Sequence, residues 1–177
     1  MGHHGFYVII AALLFIFPVL ALEAQTAEEL DRMLETQTVS AAQAARFVLG
    51  AAEKLPEYLY GQAAEDAAWQ MASENGWVSG GPGDPLRLNG AAFLIMSAFG
   101  FRGGVMYSLF PGPRYAYREL VYKKMIQGRS APDISFNGER LLQIIGRVLS
   151  YSGEDQRLDA EMRMPREDIL LPETIHR

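Results

Sequence analysis

The residue types that carry most nucleophilic and metal chemistry are scarce in this chain of 177 residues. It contains no cysteine, and its three histidines are His3, His4 and His176, close to the two ends. A Ser-His or Cys-His pair needs an imidazole beside the nucleophile, and zinc sites draw mainly on histidine and cysteine. The sequence therefore predicts no catalytic residues, no metal site and no cofactor in the body of the chain.

Carboxylate pairs and a glycine-rich loop are the remaining candidates for enzyme chemistry. Glu65-Asp66 and Glu154-Asp155 are the closest acidic neighbours, but adjacent residues of a helix point about 100° apart and need not face one substrate. The glycine-rich loop 79–85 lacks the Lys-Ser/Thr ending of a phosphate-binding loop and follows a predicted helix rather than a strand. Solvated carboxylates and an ordinary loop are the better interpretation, and we predict that the protein is not an enzyme.

Arginine and aromatic residues beside loops are the candidates for ligand binding. Aromatic faces pack on sugar rings, and the planar guanidinium group donates paired hydrogen bonds to a carboxylate. The same residue types also dominate protein-protein hot spots. The set predicted to bind a ligand comprises Arg114 and Arg129, which flank loops, together with Tyr115, Trp77 and Arg87. Packing of these aromatic side chains within the domain is the alternative interpretation.

These residues belong to units that recur along the chain with a period of 48 residues. The matched pairs are Ala68 and Ala116, Trp69 and Tyr117, Val78 and Ile126, Gly80 and Gly128, Leu86 and Ile134, and Asn89-Gly90 and Asn137-Gly138. A weaker copy lies 47 residues upstream, where Val39 precedes Leu86 and Phe47-Val48-Leu49 precedes Leu94-Ile95-Met96. Repeats of this length are supersecondary units that cannot cover their apolar faces alone. The period predicts three related helix-loop-helix units within one domain.

Apolar spacing and helix-boundary residues place two helices in each unit, with Ser40 as the N-cap of the second helix and Asn75-Gly76 at the end of the third. The predicted helices cover about 26–35 and 40–54 in unit one (about 26–55), 62–75 and 87–99 in unit two (about 62–99), and 114–127 and 135–151 in unit three (about 110–151). An apolar stripe in the last helix predicts a face in the core; it consists of Leu141, Ile144, Ile145, Val148 and Leu149. Segment 102–113 is predicted to be irregular, and 152–177 to be a charged tail that is either flexible or docked.

The start of the chain predicts export. Residues 5–22 are uncharged and mostly apolar, which is typical of a signal peptide, and we predict residues 1–24 to be removed so that Gln25 becomes the first residue. An uncleaved membrane anchor is the alternative, because 18 residues reach the lower limit for a span. From residue 25 onward, 16 basic and 20 acidic residues (21 less Glu23) give a net charge of −4, which argues against nucleic acid as a partner. The expected location is the periplasm or cell envelope.

Three short motifs of this chain resemble, in their order and spacing, those of the S-layer homology module. Unit three contains an aromatic-Ala pair, an apolar-x-Gly turn and an apolar-Ser signature, at Tyr115-Ala116, Ile126-Gln127-Gly128 and Ile134-Ser135. Unit two has Ala67-Ala68, Val78-Ser79-Gly80 and Leu86-Arg87, and unit one keeps Val39-Ser40. The resemblance implies an all-α domain of three helix-loop-helix units with approximate threefold symmetry, which attaches proteins to cell-wall polysaccharide or peptidoglycan.

The resemblance also implies where the family's charged recognition residues would lie. In the family the second helix of each unit opens with a Thr-Arg-Ala-Glu-like signature, whose Arg contacts acidic sugar substituents. Here the Arg position reads Ala41, Leu88 and Phe136, and the Glu position reads Gln43, Gly90 and Gly138. Two functions are therefore expected: binding or anchoring to cell-wall glycan, or a structural role as a protein-protein adaptor in an envelope assembly.

Overall fold

The computed structural model describes residues 27–128 and 130–163, with side chains through residue 153. Its seven helices are α1 (27–35), α2 (Ala41–Ala51), α3 (Gly61–Glu74), α4 (Leu88–Ala98), α5 (Val105–Leu109), α6 (Pro113–Tyr122) and α7 (Gly138–Arg163). The described ranges contain no strand, only two isolated bridges. This confirms the all-α class. None of the described helices combines the length and apolar character needed to cross a bilayer, and the predicted leader lies outside the described residues.

Four helices end in the same hydrogen-bonded turn. After α2, α3, α4 and α6 the chain passes through a residue with positive φ, namely Glu53, Gly76, Gly100 and Lys124. In each case this residue and the next donate their amides to carbonyls of the last turn, as Gly76 does to Ser73 and Trp77 does to Ala72. These paired bonds define a Schellman motif, which satisfies carbonyls that a helix end otherwise leaves open. The turns after α2 and α4 lie 47 residues apart and those after α3 and α6 lie 48 apart, as the predicted repeat requires.

The 48-residue register holds as far as Gly128 and then shifts. Gly80 and Gly128 both have positive φ, but α4 begins at Leu88 and α7 at Gly138, 50 residues later. The residue two positions before α7 is therefore Phe136, which is buried as Leu86 is before α4, whereas Ile134 is half-buried. The predicted equivalence of Leu86 with Ile134 is wrong by two residues, because the loop before α7 is two residues longer.

Four further predictions about the elements also need correction. The helix predicted over 114–127 ends at Tyr122, because its Schellman turn begins there. The segment 102–113 is not wholly irregular, since it contains α5. Helix α7 begins at Gly138 rather than near Ser135, with the Asn137 side chain accepting the Arg140 amide. It continues to Arg163, past the predicted start of the tail, in a stretch without proline.

Small residues let the helices approach closely around a single apolar core. Helix α2 packs on α3, α4 packs on α6, and α2 also contacts α4 and α7. Fully buried alanines occupy the facing positions of α2, α3 and α4, among them Ala44, Ala45, Ala64, Ala68, Ala72 and Ala92. The predicted stripe of α7 supplies Leu141, Ile144, Ile145 and Val148 to this core, whereas Leu149 is exposed.

Candidate functional site

A groove of about 1010 Å³ lies where the C-terminal ends of three helices meet. One wall is formed by residues 51–54 at the end of α2 and another by residues 98–102 at the end of α4. Lys123, which follows α6, and residues 149, 151 and 152 of α7 complete the lining. The Schellman turns create this shape, because each one reverses the chain directly after the last helical turn.

Aromatic rings form one side of the groove. The rings of Phe99 and Phe101 are stacked with centroids 5.4 Å apart, and Phe101 meets Tyr151 edge-on at 5.7 Å. Lys123 Nζ lies 4.5 Å from the Tyr151 ring centroid and donates a hydrogen bond of 2.7 Å to the Tyr151 hydroxyl. Each of these rings is only partly buried, so this aromatic side can offer π-faces to a ligand as well as pack on the core.

The groove carries three cations and one carboxylate. Lys54, Arg102 and Lys123 line it together with Glu53. A helix C-terminus bears roughly half a negative charge, so part of this positive charge offsets the three helix ends. Lys54 and Arg102 are exposed and follow directly after their helix turns. The arrangement therefore suits a ligand that has a ring and an acidic substituent within reach of Arg102. Stacking on the aromatic side chains and one local ion pair would contribute more to binding than the net positive charge of the groove.

The residues predicted to bind a ligand do not line this groove. Arg114 is exposed in the first turn of α6, and Tyr115 beside it is half-buried. Trp77 packs against the core after α3. Arg87 is exposed immediately before α4 and forms a backbone bridge with Ser135. Arg129 lies outside the described residues.

A second, smaller groove of about 280 Å³ lies next to the position of Arg129 in the chain. It is lined by Gln127, Gly128, Asn137, Glu139, Arg140, Gln143, Ile144 and Arg147. Arg147 also donates a hydrogen bond of 3.1 Å to the Met125 carbonyl, which ties α7 to the turn after α6. Its side chain therefore holds two elements together in addition to lining the groove.

An ion pair with little solvent exposure ties α1 to α2. Glu29 accepts a hydrogen bond of 3.1 Å from Arg46 Nη2, and its other carboxylate oxygen accepts the Gly61 amide, at the start of α3, at 2.6 Å. Burial raises the pKa of the neighbouring Glu65 carboxyl group, and the charge of Glu29 raises it further. Within the described ranges no three His, Cys, Asp or Glu side chains come together as a metal site would require. The cluster is best explained as a link between three helices.

Sequence reasoning missed most of the groove. The groove residues stand out in the sequence neither as a motif nor as a cluster, because they come from four different helices or the turns that follow them: Lys54, Phe99, Phe101, Lys123 and Tyr151. One signal was available: the 47-residue step relates Lys54 to Phe101 and the turn at Glu53 to the turn at Gly100. Extending that step past the helices would have indicated two equivalent turns side by side.

Comparisons with known proteins give no relative. No protein-family model, no curated protein and no solved structure matches this chain. The assignment of function therefore depends on the residues and contacts of the chain itself.

Proposed function

We propose that this chain is an exported, non-enzymatic cell-envelope protein whose helical domain resembles the S-layer homology module and binds cell-wall glycan. The observation that carries the proposal is a set of three backbone hydrogen bonds. The first residues of α2, α4 and α7 each donate their amide to the loop that precedes another of these helices: Ala41 to Asp84, Leu88 to Ile134, and Gly138 to Thr36, at 3.0, 3.0 and 2.9 Å.

These bonds support an approximately threefold arrangement because they follow one another in a closed order. Helix α2 is bonded to the loop before α4, α4 to the loop before α7, and α7 to the loop before α2. One buried apolar residue stands two positions before each helix, namely Val39, Leu86 and Phe136. The Leu86 amide bonds the Val39 carbonyl, and the Val39 amide bonds the Phe136 carbonyl. Equivalent contacts of three units about one axis would produce this pattern.

In such an arrangement the larger groove lies between the second helices of units one and two, and we propose it as the glycan site. The longer loop before α7 moves the family's Arg position in unit three from Phe136, as predicted from the sequence, to Gly138, the first residue of α7. The three positions are then Ala41, Leu88 and Gly138, and none of them is charged. Lys54 and Arg102 would supply the cationic contacts instead, with Phe101 as the ring on which a sugar stacks. Affinity for an acidic wall polysaccharide or peptidoglycan is then modest, since the helix ends offset part of the charge.

A charge-matched comparison tests this site. Lys54→Ala combined with Arg102→Ala is expected to lower co-sedimentation with purified acidic wall polymer by about tenfold or more, because each charged hydrogen bond contributes roughly 1.5–3 kcal/mol and the two are not fully additive. The control is Arg32→Ala with Arg118→Ala, which removes two exposed cations elsewhere and should leave retention unchanged. Both double variants should unfold at the wild-type temperature.

The remaining outcomes separate the alternatives. A loss confined to Arg114→Ala with Arg129→Ala would move the site to the residues predicted from sequence. Retention unchanged by either pair would refute the groove. The adaptor function is the second candidate, and the uncharged residues Ala41, Leu88 and Gly138 favour it. It would be supported if the wild-type chain failed to bind wall polymer and instead captured a defined envelope complex.

Export is part of the proposal and has its own test. N-terminal sequencing of the protein recovered from the producing cells should give Gln25 as the first residue, because the apolar run 5–22 is followed by the small residue Ala24. Recovery of Met1 in the membrane fraction would support the anchor instead.

A further inference from the structure

Helix α5 exposes an apolar surface that the glycan groove does not use. Val105, Met106, Leu109 and Phe110 are 54–70% exposed, although all four side chains are large and apolar. Across the described residues, six of the ten most exposed large apolar or aromatic side chains lie between positions 105 and 122. Exposed apolar residues are usually scattered singly over a protein surface. Their concentration in one short segment therefore marks an interaction site.

A single inward side chain fastens α5 to the domain. Tyr107 packs against the core, and burial raises the pKa of its hydroxyl group. It lies directly over Gly103, where an added Cβ would stand 2.6 Å from the Tyr107 side chain. Of the five side chains of α5, only the Tyr107 ring is partly buried, and the apolar side chains of Val105, Met106 and Leu109 are exposed.

Helix α6 extends the apolar surface. It packs beside α5, and Gly104 lies next to the Glu119 carboxylate. Tyr122 is 84% exposed and lies three residues after Glu119 on the same helical stripe, with Val121 beside it. We call the set Val105, Met106, Leu109, Phe110, Val121 and Tyr122 the α5–α6 surface.

The segment that carries this surface is basic in an acidic protein. Residues 102–124 contain five basic side chains, Arg102, Arg114, Arg118, Lys123 and Lys124, against the single acid Glu119, a net charge of +4 (five less one). The whole chain carries −5. A segment that combines exposed apolar and aromatic side chains with a positive net charge is complementary to an anionic lipid surface, where the apolar side chains enter the headgroup boundary and the cations meet phosphates.

We propose that the α5–α6 surface docks on an anionic lipid bilayer. Charge decides against a second copy of the chain, because a symmetric interface through this surface would place two sets of five cations together. This inference is independent of glycan binding, although two of the five cations, Arg102 and Lys123, also line the groove.

The absence of cysteine from these 177 residues allows a site-specific test in the intact chain. Met106→Cys is labelled with the environment-sensitive dye NBD, and Tyr58→Cys, at an exposed aromatic position outside the surface, is the matched control. With vesicles of phosphatidylcholine and phosphatidylglycerol, NBD at position 106 should brighten about twofold or more and shift to the blue, as a dye entering the headgroup boundary does. NBD at position 58 should not change. If the leader alone bound the vesicles, the fluorescence of the two labels would respond alike, so leader binding cannot produce this difference.

Two further variants separate the apolar and the basic contributions. Leu109→Ser with Phe110→Ser should reduce the fraction of position-106 label that enters the bilayer by about tenfold or more, because two large apolar side chains lose their burial. Arg118→Gln with Lys124→Gln should weaken binding about fivefold or more on anionic vesicles only.

Four results would overturn the proposal: no change at position 106, an equal change at position 58, an equal change on phosphatidylcholine alone, or a lipid-independent change that grows with protein concentration. The last would identify self-association instead.

Discussion

Gly138→Ala is expected to abolish folding or to lower the free energy of unfolding by more than about 3 kcal/mol. A Cβ at this first residue of α7 would overlap the main-chain carbonyl oxygen of Met33 and stand 2.7 Å from its sulfur. Neither the Met33 oxygen nor its sulfur can move away easily, because Met33 is 2% exposed and the Gly138 amide donates a hydrogen bond to the nearby Thr36 carbonyl. Relief requires α1 and α7 to separate, which breaks that bond and overpacks the core. Denaturant unfolding followed by circular dichroism measures the loss.

A second glycine of the same helix provides the control. Gly146 lies in the middle of α7 and is exposed to solvent, and a Cβ added there would meet no neighbouring atom within 4 Å. Gly146→Ala should therefore stabilise the protein by about 0.5–1 kcal/mol, because alanine favours the helix. A Gly138→Ala protein as stable as the wild type would mean that α1 does not pack against the start of α7.

Leu141→Ala is expected to cost about 2–5 kcal/mol, as large-to-small changes in a packed core do. The side chain is fully buried one turn into α7, and Ile144→Ala, 1% exposed, should fall in the same range. Leu149 belongs to the same helix but is 45% exposed, so Leu149→Ala should cost less than about 1 kcal/mol. A measured loss below about 0.5 kcal/mol for Leu141→Ala would exclude it from the core.

The groove and the α5–α6 surface give the protein two faces of different chemistry. The groove combines rings with cations that follow helix ends, whereas the α5–α6 surface offers side chains with few polar atoms. Variants at Lys54 should affect only the first, and variants at Leu109 and Phe110 should affect only the second. The proposed glycan retention and the proposed lipid docking can therefore be tested separately in one protein.

Much of the local structure followed from short-range patterns. Ser40 was predicted to cap α2, and its hydroxyl accepts the Gln43 amide while the Gln43 side chain accepts the Ser40 amide. Gly76 was predicted to end α3, and it has the positive φ that the turn requires. The α7 stripe was predicted from spacing alone. Helix α5 was missed because five residues between glycines and prolines give too short a pattern to recognise.

What the sequence alone determined is the helical class, the spacing of 47 or 48 residues between equivalent helix-ending turns, and the position of most helix ends. These depend on bonds and contacts within a few residues of one another, so the residue types record them directly. The tertiary structure alone decided the two-residue shift that puts Phe136 in place of Ile134, the need for glycine beside the Met33 carbonyl, and the groove joining Lys54 to Arg102 and Tyr151. Those features depend on how distant segments pack, and packing is set by the shape of the whole core rather than by any local pattern.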